Sequence, residues 1–302
     1  MQHLVEIQQF DREAIQRLFE LASSYEGKRD ESLRGKIMAA LFYEPSTRTR
    51  LSFSSAMARL GGSIITMESG GTSSQAKGET LDDSIKVISQ YADAIVMRHH
   101  ETGAAARAAA VSSVPVINAG DGNMGQHPTQ ALLDLYTIQR EIGRQDGISI
   151  AIVGNLRYYR AARSLAYIVG KYKDMHLTFV SSPELSMADD VKEYLDRHHV
   201  QWSETADMRE ALKEVDVVYQ TRIAREWIKN DEEYEKQRGR YIIDRSVADS
   251  LKDGAIIIHP LPRIGEITDD VDTSPHAVYF RQVGYGLIVR MALLRTILGE
   301  SA

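Results

Sequence analysis

Apolar residues along this chain form short runs that are separated by stretches with helical spacing. In the amino-terminal part the apolar runs are "KIMAALFY", "SIITM", "ADAIVMR" and "VPVINA". Between them, "TRTRLSFSSAMARL", "TLDDSIKVISQY" and "GAAARAAAV" place apolar residues three and four apart. Short apolar runs are typical of buried strands, and the second spacing is typical of helices. The alternation predicts right-handed βαβ units and a parallel sheet.

The same alternation starts again after a long helical stretch, "HPTQALLDLYTIQREIG". The later strands are predicted in "ISIAIVG", "HLTFVS", "DVVYQT" and "AIIIHP", with helices such as "YRAARSLAYIVGKY" and "DMREALKEV" between them. A final amphipathic helix, "GYGLIVRMALLRTILGE", follows the second sheet, and we expect it to return to the first domain. The expected domains are residues 1–129 plus 286–302, and residues 130–285. The predicted fold is α/β, with two doubly wound parallel-sheet domains and the active site in the cleft between them.

Composition narrows the class of protein. The chain has 302 residues with 43% hydrophobic and 26% charged residues, which is typical of a soluble globular protein of about two domains. Neither a membrane-spanning apolar run nor a signal peptide is evident, so we expect no membrane partner. The absence of cysteine fits a reducing compartment, and we expect a cytoplasmic protein. A net charge of −6 disfavours nucleic acid as the main partner.

The first candidate site follows the strand "KIMAALFY", where Glu44, Pro45 and Ser46 lead into a helix. We expect Ser46 or Thr47 to cap that helix, with the free N–H groups of its first turn and the Arg48 guanidinium directed at one anion. The glycine-rich lysine loop of nucleotide-binding enzymes does not occur in the chain. The alternative is a capped surface helix with solvated arginines.

A second motif points to another class of enzyme. Gly120, Gly122 and Gly125 fit the GxGxxG spacing between a strand and a helix, which is typical of a nicotinamide-dependent dehydrogenase. That fingerprint also requires a following strand that ends in an acidic residue, whereas "ISIAIV" is followed by Gly154 and Asn155. A dinucleotide site is therefore disfavoured. A third alternative is a catalytically silent ligand-binding protein.

Adjacent histidines occur at His99 and His100 and again at His198 and His199. Neighbouring residues of a strand point to opposite faces, and neither pair has a carboxylate partner at the spacing of metal ligands. We predict no metal site.

Six blocks of the chain, taken in order, resemble the signature blocks of the aspartate/ornithine transcarbamoylase family. They are "FYEPSTRTRLSF", "SSQAKGETLDDSI", "VMRH", "NAGDGNMGQHPTQALLDLYTI", "QTRIAREW" and "HPLPRIGEI". The block "HPLPR" resembles the aspartate branch, because ornithine enzymes have a cysteine in the corresponding stretch. The resemblance implies transfer of the carbamoyl group of carbamoyl phosphate to L-aspartate, in de novo pyrimidine biosynthesis. It also implies that no metal or organic cofactor is needed.

The resemblance assigns the phosphate and the carbamoyl group to the first domain. Ser46, Thr47, Arg48 and Thr49 match the phosphate turn of the family. Arg98 and His127 match residues that surround the carbamoyl oxygen together with Thr49, and Gln130 matches a contact to the carbamoyl amide. Donors at that oxygen stabilise the charge that develops when an amine attacks. The alternatives from the residues alone are a surface salt bridge for Arg98 and a capping or core role for His127.

The amino acid is assigned to the second domain and to a neighbouring subunit. Arg160 and Arg222 match the two arginines that bind the carboxylates of aspartate, and two such guanidinium groups favour a dicarboxylate. The carbonyls of Leu261 and Pro262 match acceptors for the amine and the carbamoyl N–H groups, and the resemblance implies a cis bond between these residues.

A loop that carries Ser73 and Lys77 matches one donated by the adjacent subunit, which implies a homotrimer with shared active sites, in which Lys77 serves catalysis and amino-acid binding. For Lys77 the alternative is a solvated loop lysine. A regulatory chain is a possible further partner.

Four positions depart from the family pattern, and all of them lie in the amino-acid half of the site. The chain has Tyr159, Ala161 and Arg163 where glycine, threonine and histidine are usual, and Ala224 where glutamine is usual. Carbamoyl phosphate use is therefore better supported than aspartate use. A transcarbamoylase with a different amino-acid acceptor is the alternative, since a lost hydrogen bond is what separates related substrates.

Overall fold

The computed structural model describes residues 2–68, 78–223, 225, 228 and 230–299. The chain forms two compact units. The first comprises the residues up to Leu133 together with those from Gly284 onward, and the second comprises Asp134–Val283. The expected divisions, after residue 129 and after residue 285, lie close to these positions.

The first unit is a parallel four-stranded sheet covered by helices. Its strands are β1 (Ile37–Phe42), β2 (Ser63–Glu68), β3 (Ala94–His99) and β4 (Val116–Asp121). Its helices are α1 (Arg12–Ser24), α2 (Thr47–Arg59), α3 (Leu81–Ile88) and α4 (Ala104–Val111). The strand order β2-β1-β3-β4 confirms the predicted parallel βαβ arrangement.

The apolar runs of the first unit are buried because helices cover the sheet. Ala39, Ile95 and Met97 pack in one core cluster with Leu81 and Ile85 of α3. Helix α4 is rich in alanine, whose small side chain allows the helix backbone to lie close to the strands. A parallel sheet of this kind needs strands that are apolar on both faces. This is why the sequence predicted the strands from their continuous apolar runs.

The second unit is a parallel five-stranded sheet. Its strands are β5 (Ser149–Val153), β6 (His176–Val180), β7 (Gln201–Thr205), β8 (Val217–Gln220) and β9 (Ile256–Ile258), in the order β7-β6-β5-β8-β9. Its helices are α6 (Arg160–Val169), α7 (Asp189–Arg197), α8 (Met208–Ala211), α9 (Asp231–Arg238) and α10 (Arg245–Ala248). The unit boundaries fall inside two further helices, α5 (Pro128–Ile142) and α11 (Tyr279–Leu298).

Two parts of the second unit differ from the sequence prediction. Strand β7 was not predicted, because this edge strand is largely exposed and carries no apolar run. Helix α8 is shorter than the predicted "DMREALKEV", because the chain turns after Ala211 and buries Leu212 and Val215 before it enters β8.

Each sheet has one place where the chain changes its winding direction. In the first unit the change lies between β1 and β3, and in the second between β5 and β8. Loops that leave such strands at their carboxyl ends diverge to opposite faces and open a crevice, where doubly wound sheets bind ligands. Among the helices of the described residues, none has the length and apolar character needed to cross a membrane.

Candidate active site

The crevice of the first unit contains Arg98 and the segment that joins β1 to α2. Phe42 and Arg98 lie side by side on β1 and β3, and the Tyr43 N–H donates to the Arg98 carbonyl at 2.9 Å. The Arg98 side chain donates from Nε to Glu44 Oε2 at 3.1 Å and from Nη1 to Ser46 Oγ at 3.2 Å. Only 16% of this side chain is exposed. Arg98 is therefore held against the predicted phosphate turn and is more than a surface salt bridge.

Ser46 occupies the N-cap position of α2, as predicted, but it does not cap the helix through its side chain. Its backbone is extended, and its hydroxyl accepts no hydrogen bond from the first turn of α2. The hydroxyl instead accepts from Arg98 Nη1. The cap side chain thus leaves the first-turn N–H groups to other acceptors, and these donors sit at the positive end of the helix dipole. Such an end is suited to an anion.

The remaining residues of the turn differ in exposure. Thr47 and Arg48 are exposed, whereas Thr49 is buried. Thr49 supplies a buried hydroxyl, and the exposed Arg48 supplies a guanidinium that solvent and ligands can reach. This arrangement fits the predicted phosphate turn.

Glu44 belongs to this site although it was not among the predicted site residues. It carries the carboxylate that binds the Arg98 guanidinium. A carboxylate two positions before an anion-binding turn is unfavourable unless it pairs with a cation. That position was the available sequence signal for its role in orienting Arg98.

His127 and Gln130 lie where the loop after β4 enters α5. Both side chains are buried. The His127 carbonyl accepts from the Gln130 N–H at 2.9 Å, and its ring Nδ1 lies 3.4 Å from Thr129 Oγ1. His127 thus both caps the helix and holds a buried ring at the carboxyl edge of the sheet. The two residues share that edge with Arg98, because β3 and β4 run parallel.

In the glycine-rich loop before His127, the space around the glycines is occupied by side chains and carbonyls of the loop and of Thr102. Asp121 Oδ1 accepts from Asn118 Nδ2 at 3.0 Å and from the Gln126 N–H at 3.2 Å. A Cβ at Gly122 would lie 2.0 Å from Thr102 Oγ1, and one at Gly125 would lie 2.0 Å from the Asp121 carbonyl. The glycines allow close approach within the loop, so their spacing requires no dinucleotide.

The part of the chain that the structure describes contains no cluster of three or more His, Cys, Asp or Glu side chains that could hold a metal ion. The expectation that paired histidines point to opposite faces is wrong. The rings of His99 and His100 stack at 4.4 Å, because β3 ends at His99. His198 and His199 directly follow helix α7 and are not part of a strand.

The crevice of the second unit brings the two predicted carboxylate-binding arginines to neighbouring segments. Val153 of β5 pairs with Gln220 of β8. Arg160 begins α6 after β5, and Arg222 is the second residue after the end of β8; both are half-buried. The segments are joined where the Asn155 N–H donates to Thr221 Oγ1 at 3.1 Å.

Asn155 is a residue that the sequence prediction missed at this crevice. Its side chain is fully buried, and its Nδ2 has no hydrogen-bond partner among the described residues. Its Oδ1 accepts from the Tyr158 N–H at 3.2 Å. The sequence signal for a role of Asn155 was a polar residue directly after the apolar run of β5, where the dinucleotide fingerprint expects an acidic residue.

One of the departures from the family pattern is explained by an ion pair within the second unit. Arg163 is buried, and its guanidinium binds Asp190 of α7 through two hydrogen bonds, of 3.1 and 2.5 Å. Burial opposes ionisation of Asp190, but the hydrogen bonds from Arg163 and Tyr167 outweigh it and hold the Asp190 pKa below its usual range. The Arg163 guanidinium therefore binds a carboxylate of α7.

The other three departures lie outside this ion pair. Ala161 is buried, and Tyr159 is the N-cap residue of α6. Ala224 lies outside the described residues.

Leu261 and Pro262 lie in the loop after β9, and the bond between them is cis, as the resemblance implies. No group among the described residues donates to either carbonyl. The loop is anchored beyond Pro262 by Arg263, which binds Asp272 and donates to Asp269 at 2.8 Å. Both carbonyls thus remain available as acceptors.

Ser73 and Lys77, the predicted residues of the adjacent-subunit loop, lie outside the described residues.

Family models match both parts of the chain. A model described as the carbamoyl-P binding domain of aspartate/ornithine carbamoyltransferase matches residues 2–140. A model described as the Asp/Orn binding domain matches residues 146–297.

The chain is also similar to individual proteins over nearly its whole length. It is 52% identical to aspartate carbamoyltransferase 3, chloroplastic, of Pisum sativum, over 98% of this chain and 77% of that protein. It is 48% identical to the aspartate carbamoyltransferase catalytic subunit of Methanocaldococcus jannaschii, over 100% and 99%. A crystal structure of aspartate transcarbamoylase from Trypanosoma cruzi with N-(phosphonacetyl)-L-aspartic acid has a TM-score of 0.93 and 37% identity, covering 98% and 96%.

Proposed function

The chain belongs to the aspartate/ornithine carbamoyltransferase family, and we propose that it transfers the carbamoyl group of carbamoyl phosphate to the amine of L-aspartate. It is a transferase, and its products are N-carbamoyl-L-aspartate and phosphate, the chemistry of pyrimidine biosynthesis. The observation that carries this proposal is the Arg98 guanidinium bound to Ser46, the N-cap residue of α2. That arrangement provides donors for a phosphate and for a carbonyl oxygen together.

The proposed mechanism assigns the leaving group to the first unit. Ser46, Thr47, Arg48 and Thr49 bind the phosphate. Arg98, His127 and Thr49 donate to the carbamoyl oxygen, and Gln130 binds the carbamoyl amide. The amine nitrogen forms a bond to the carbamoyl carbon, and the bond from that carbon to the phosphate oxygen breaks. The phosphate leaves with the electron pair and takes up the proton that the amine nitrogen loses. Fixed donors at the carbamoyl oxygen lower the barrier because charge develops there in the transition state.

The proposed role of the second unit is to bind and orient the amino acid. Arg160 and Arg222 would bind its two carboxylates, and Leu261 would accept from its amine. The Leu261 and Pro262 carbonyls accept no hydrogen bond from the described residues, which supports this assignment. Tyr159 and Ala224 leave a transcarbamoylase with another acceptor as the alternative.

The test is a colorimetric assay of ureido product with a panel of amino acids. We expect product only when carbamoyl phosphate and aspartate are both present, with ornithine, glutamate and asparagine as the comparison acceptors. A higher kcat/KM with another amino acid would identify the alternative acceptor. Binding of carbamoyl phosphate without turnover would identify a silent family member, and nicotinamide binding would support a dehydrogenase.

We further propose a homotrimer in which Ser73 and Lys77 complete the site of the adjacent subunit. Inactive Lys77→Ala chains mixed with inactive Arg48→Ala chains should then regain activity, because random assortment joins two intact halves at about a quarter of the interfaces. Refolded chains of one kind alone are the control. Trimers without recovered activity would contradict sharing. The cytoplasmic location and the regulatory chain stay predictions, and several relatives are named chloroplastic.

A further inference from the structure

The loop that carries Leu261 begins and ends on a buried pair of side chains, His259 and Glu266. His259 directly follows β9, and its side chain is fully buried. Its ring Nε2 lies 2.7 Å from Glu266 Oε1, and its Nδ1 accepts from the Leu261 N–H at 2.7 Å. One ring therefore joins the first residue of the loop to its third and to its eighth.

These contacts define the protonation state of the ring. A nitrogen that accepts a hydrogen bond carries no proton, so the Leu261 contact requires an unprotonated Nδ1. The single ring proton is then on Nε2 and donates to Glu266, which leaves the imidazole neutral. Glu266 also accepts from the Ile264 N–H at 2.9 Å through its Oε2. Burial opposes ionisation of Glu266, but these hydrogen bonds hold its pKa below the usual range.

The loop has few other means of holding Leu261. Pro260 and Pro262 carry no N–H, so the Leu261 N–H is the one backbone donor between them. Leu261 also has a φ of +56°, in the left-handed region that a non-glycine residue adopts only when its surroundings enforce it. The bond from its N–H to His259 is the enforcing contact that the structure shows, and it fixes the plane of the preceding peptide.

We infer that His259 is a positioning residue for the reaction: its ring holds Leu261 so that the Leu261 carbonyl meets the attacking amine. This inference rests on the proposed function, because the carbonyl has a catalytic partner only if an amine is the acceptor. Glu266 orients the ring from its other side, in the way that a buried carboxylate orients a neighbouring imidazole. The backbone N–H of His259 is fixed as well, since it donates to Gln282 Oε1 at 3.0 Å.

Two substitutions separate the two ring nitrogens. His259→Asn keeps an acceptor close to the position of Nδ1, and such an Asn side chain binds the N–H two residues on. His259→Gln keeps a donor close to the position of Nε2 but offers Leu261 no acceptor at the same place. We expect His259→Gln to lower kcat about 10- to 100-fold, because a small displacement of an orienting group has an effect of that size. We expect His259→Asn to retain about tenfold more kcat than His259→Gln.

A purely structural role for His259 predicts a different result. In that case both variants would lose activity only in proportion to their folded fraction, measured by thermal unfolding. Binding of inorganic phosphate, measured by calorimetry, should be unchanged in both variants, because the proposed phosphate contacts lie in the first unit. The matched control is His276→Asn, in the same unit but outside the loop, where Nδ1 lies 2.7 Å from the Ala255 carbonyl. Its kcat should stay within about twofold of the wild type.

Hydrogen exchange keeps this test independent of the proposed function. Peptides that span residues 257–264 should show faster exchange in His259→Gln than in His259→Asn, even without substrate, because the Leu261 amide loses its acceptor. Equal exchange in the two variants, or equal kcat relative to an active wild type, would overturn the positioning role. A wild type without ureido product would instead overturn the proposed function.

Discussion

The two crevices of this chain are built in the same way but hold their functional groups differently. In the first unit the guanidinium of Arg98 binds Glu44 and Ser46 within the loop between β1 and α2. In the second unit the proposed contacts of the amino acid lie on three separate segments, at Arg160 after β5, Arg222 after β8 and Leu261 after β9. In the first crevice a side-chain contact joins β3 to the segment after β1, whereas the structure shows no hydrogen bond between the described side chains of Arg160, Arg222 and Leu261.

This difference matches the pattern of the family departures. The proposed phosphate turn keeps every residue of the family motif, and Arg98 contacts its Ser46 and the preceding Glu44. The departures at Tyr159, Ala161, Arg163 and Ala224 all fall in the second unit, where separate loops can change one at a time. Phosphate is a fixed substrate group that one compact site must bind, while an amino acid is recognised by contacts that can be exchanged individually.

The largest effect is expected from removal of the arginine at the centre of the first crevice. Arg98→Ala should lower kcat about 100- to 1000-fold, because a donor to the developing oxyanion is lost. The measurement is ureido product at saturating substrates. Arg59→Ala, at the other end of α2, is the control for loss of an arginine in this unit. A loss of kcat of less than tenfold would show that the Arg98 guanidinium does not stabilise the transition state as proposed.

A smaller effect is expected from the exposed arginine of the same turn. Arg48→Ala should weaken phosphate binding about 10- to 100-fold, because charge-assisted hydrogen bonds to the anion are lost. Its thermal stability should be unchanged, since the side chain is exposed. Calorimetry with inorganic phosphate and with carbamoyl phosphate measures the change, again with Arg59→Ala as the control. Unchanged affinity would refute the phosphate-turn assignment.

The departure at Arg163 offers a third test, in which stability and specificity are separated. Asp190→Asn should lower the free energy of unfolding by about 1–3 kcal/mol, because the buried guanidinium loses its charged partner. The KM for the amino acid should change less than twofold if Arg163 serves α7 alone. Asp189→Asn, whose carboxylate is 92% exposed on the same helix, should leave stability within about 0.5 kcal/mol. A raised KM in Asp190→Asn would place Arg163 in the amino-acid site.

The smallest effect is expected in the acid stability of the second unit. Burial opposes ionisation of Asp216, but hydrogen bonds from the Ser149 N–H, Lys252 and Arg144 hold its pKa below the usual range. A lowered folded-state pKa stabilises the fold above the ordinary carboxyl pKa of about 4, and this contribution is lost as the pH falls through the lowered value. Asp216→Asn should therefore reduce the loss of stability between pH 5 and pH 2 by about 1 kcal/mol.

Tryptophan fluorescence measures this acid transition in the unit where it is expected, because both tryptophans of the chain fall between residues 134 and 283. The control is Asp253→Asn, at an exposed position of the same unit. Equal pH dependence in the wild type and Asp216→Asn would contradict the assigned role of Asp216.

Much of the fold was predictable because burial leaves a signal within each element. Strands β1, β3, β5 and β8 are covered on both faces, so each appears as a continuous apolar run. Edge strand β7 has no such run, because its side chains face solvent. The motif residues of the proposed phosphate turn are adjacent in the chain, so the sequence alone placed them together at the start of α2.

The sequence by itself determined the order of strands and helices, the parallel pairing and the residue types available for chemistry, because these depend on local spacing and burial. Only the tertiary structure decided that Arg98 binds Glu44, that Arg163 binds Asp190, and that His259 joins Leu261 to Glu266. The Arg98 and Arg163 contacts join residues on different elements, and the His259 bridge spans a whole loop. A buried charge or ring binds whichever polar group the packed strands bring within hydrogen-bond distance. The spacing of residues along the chain does not give the distances between groups on different elements.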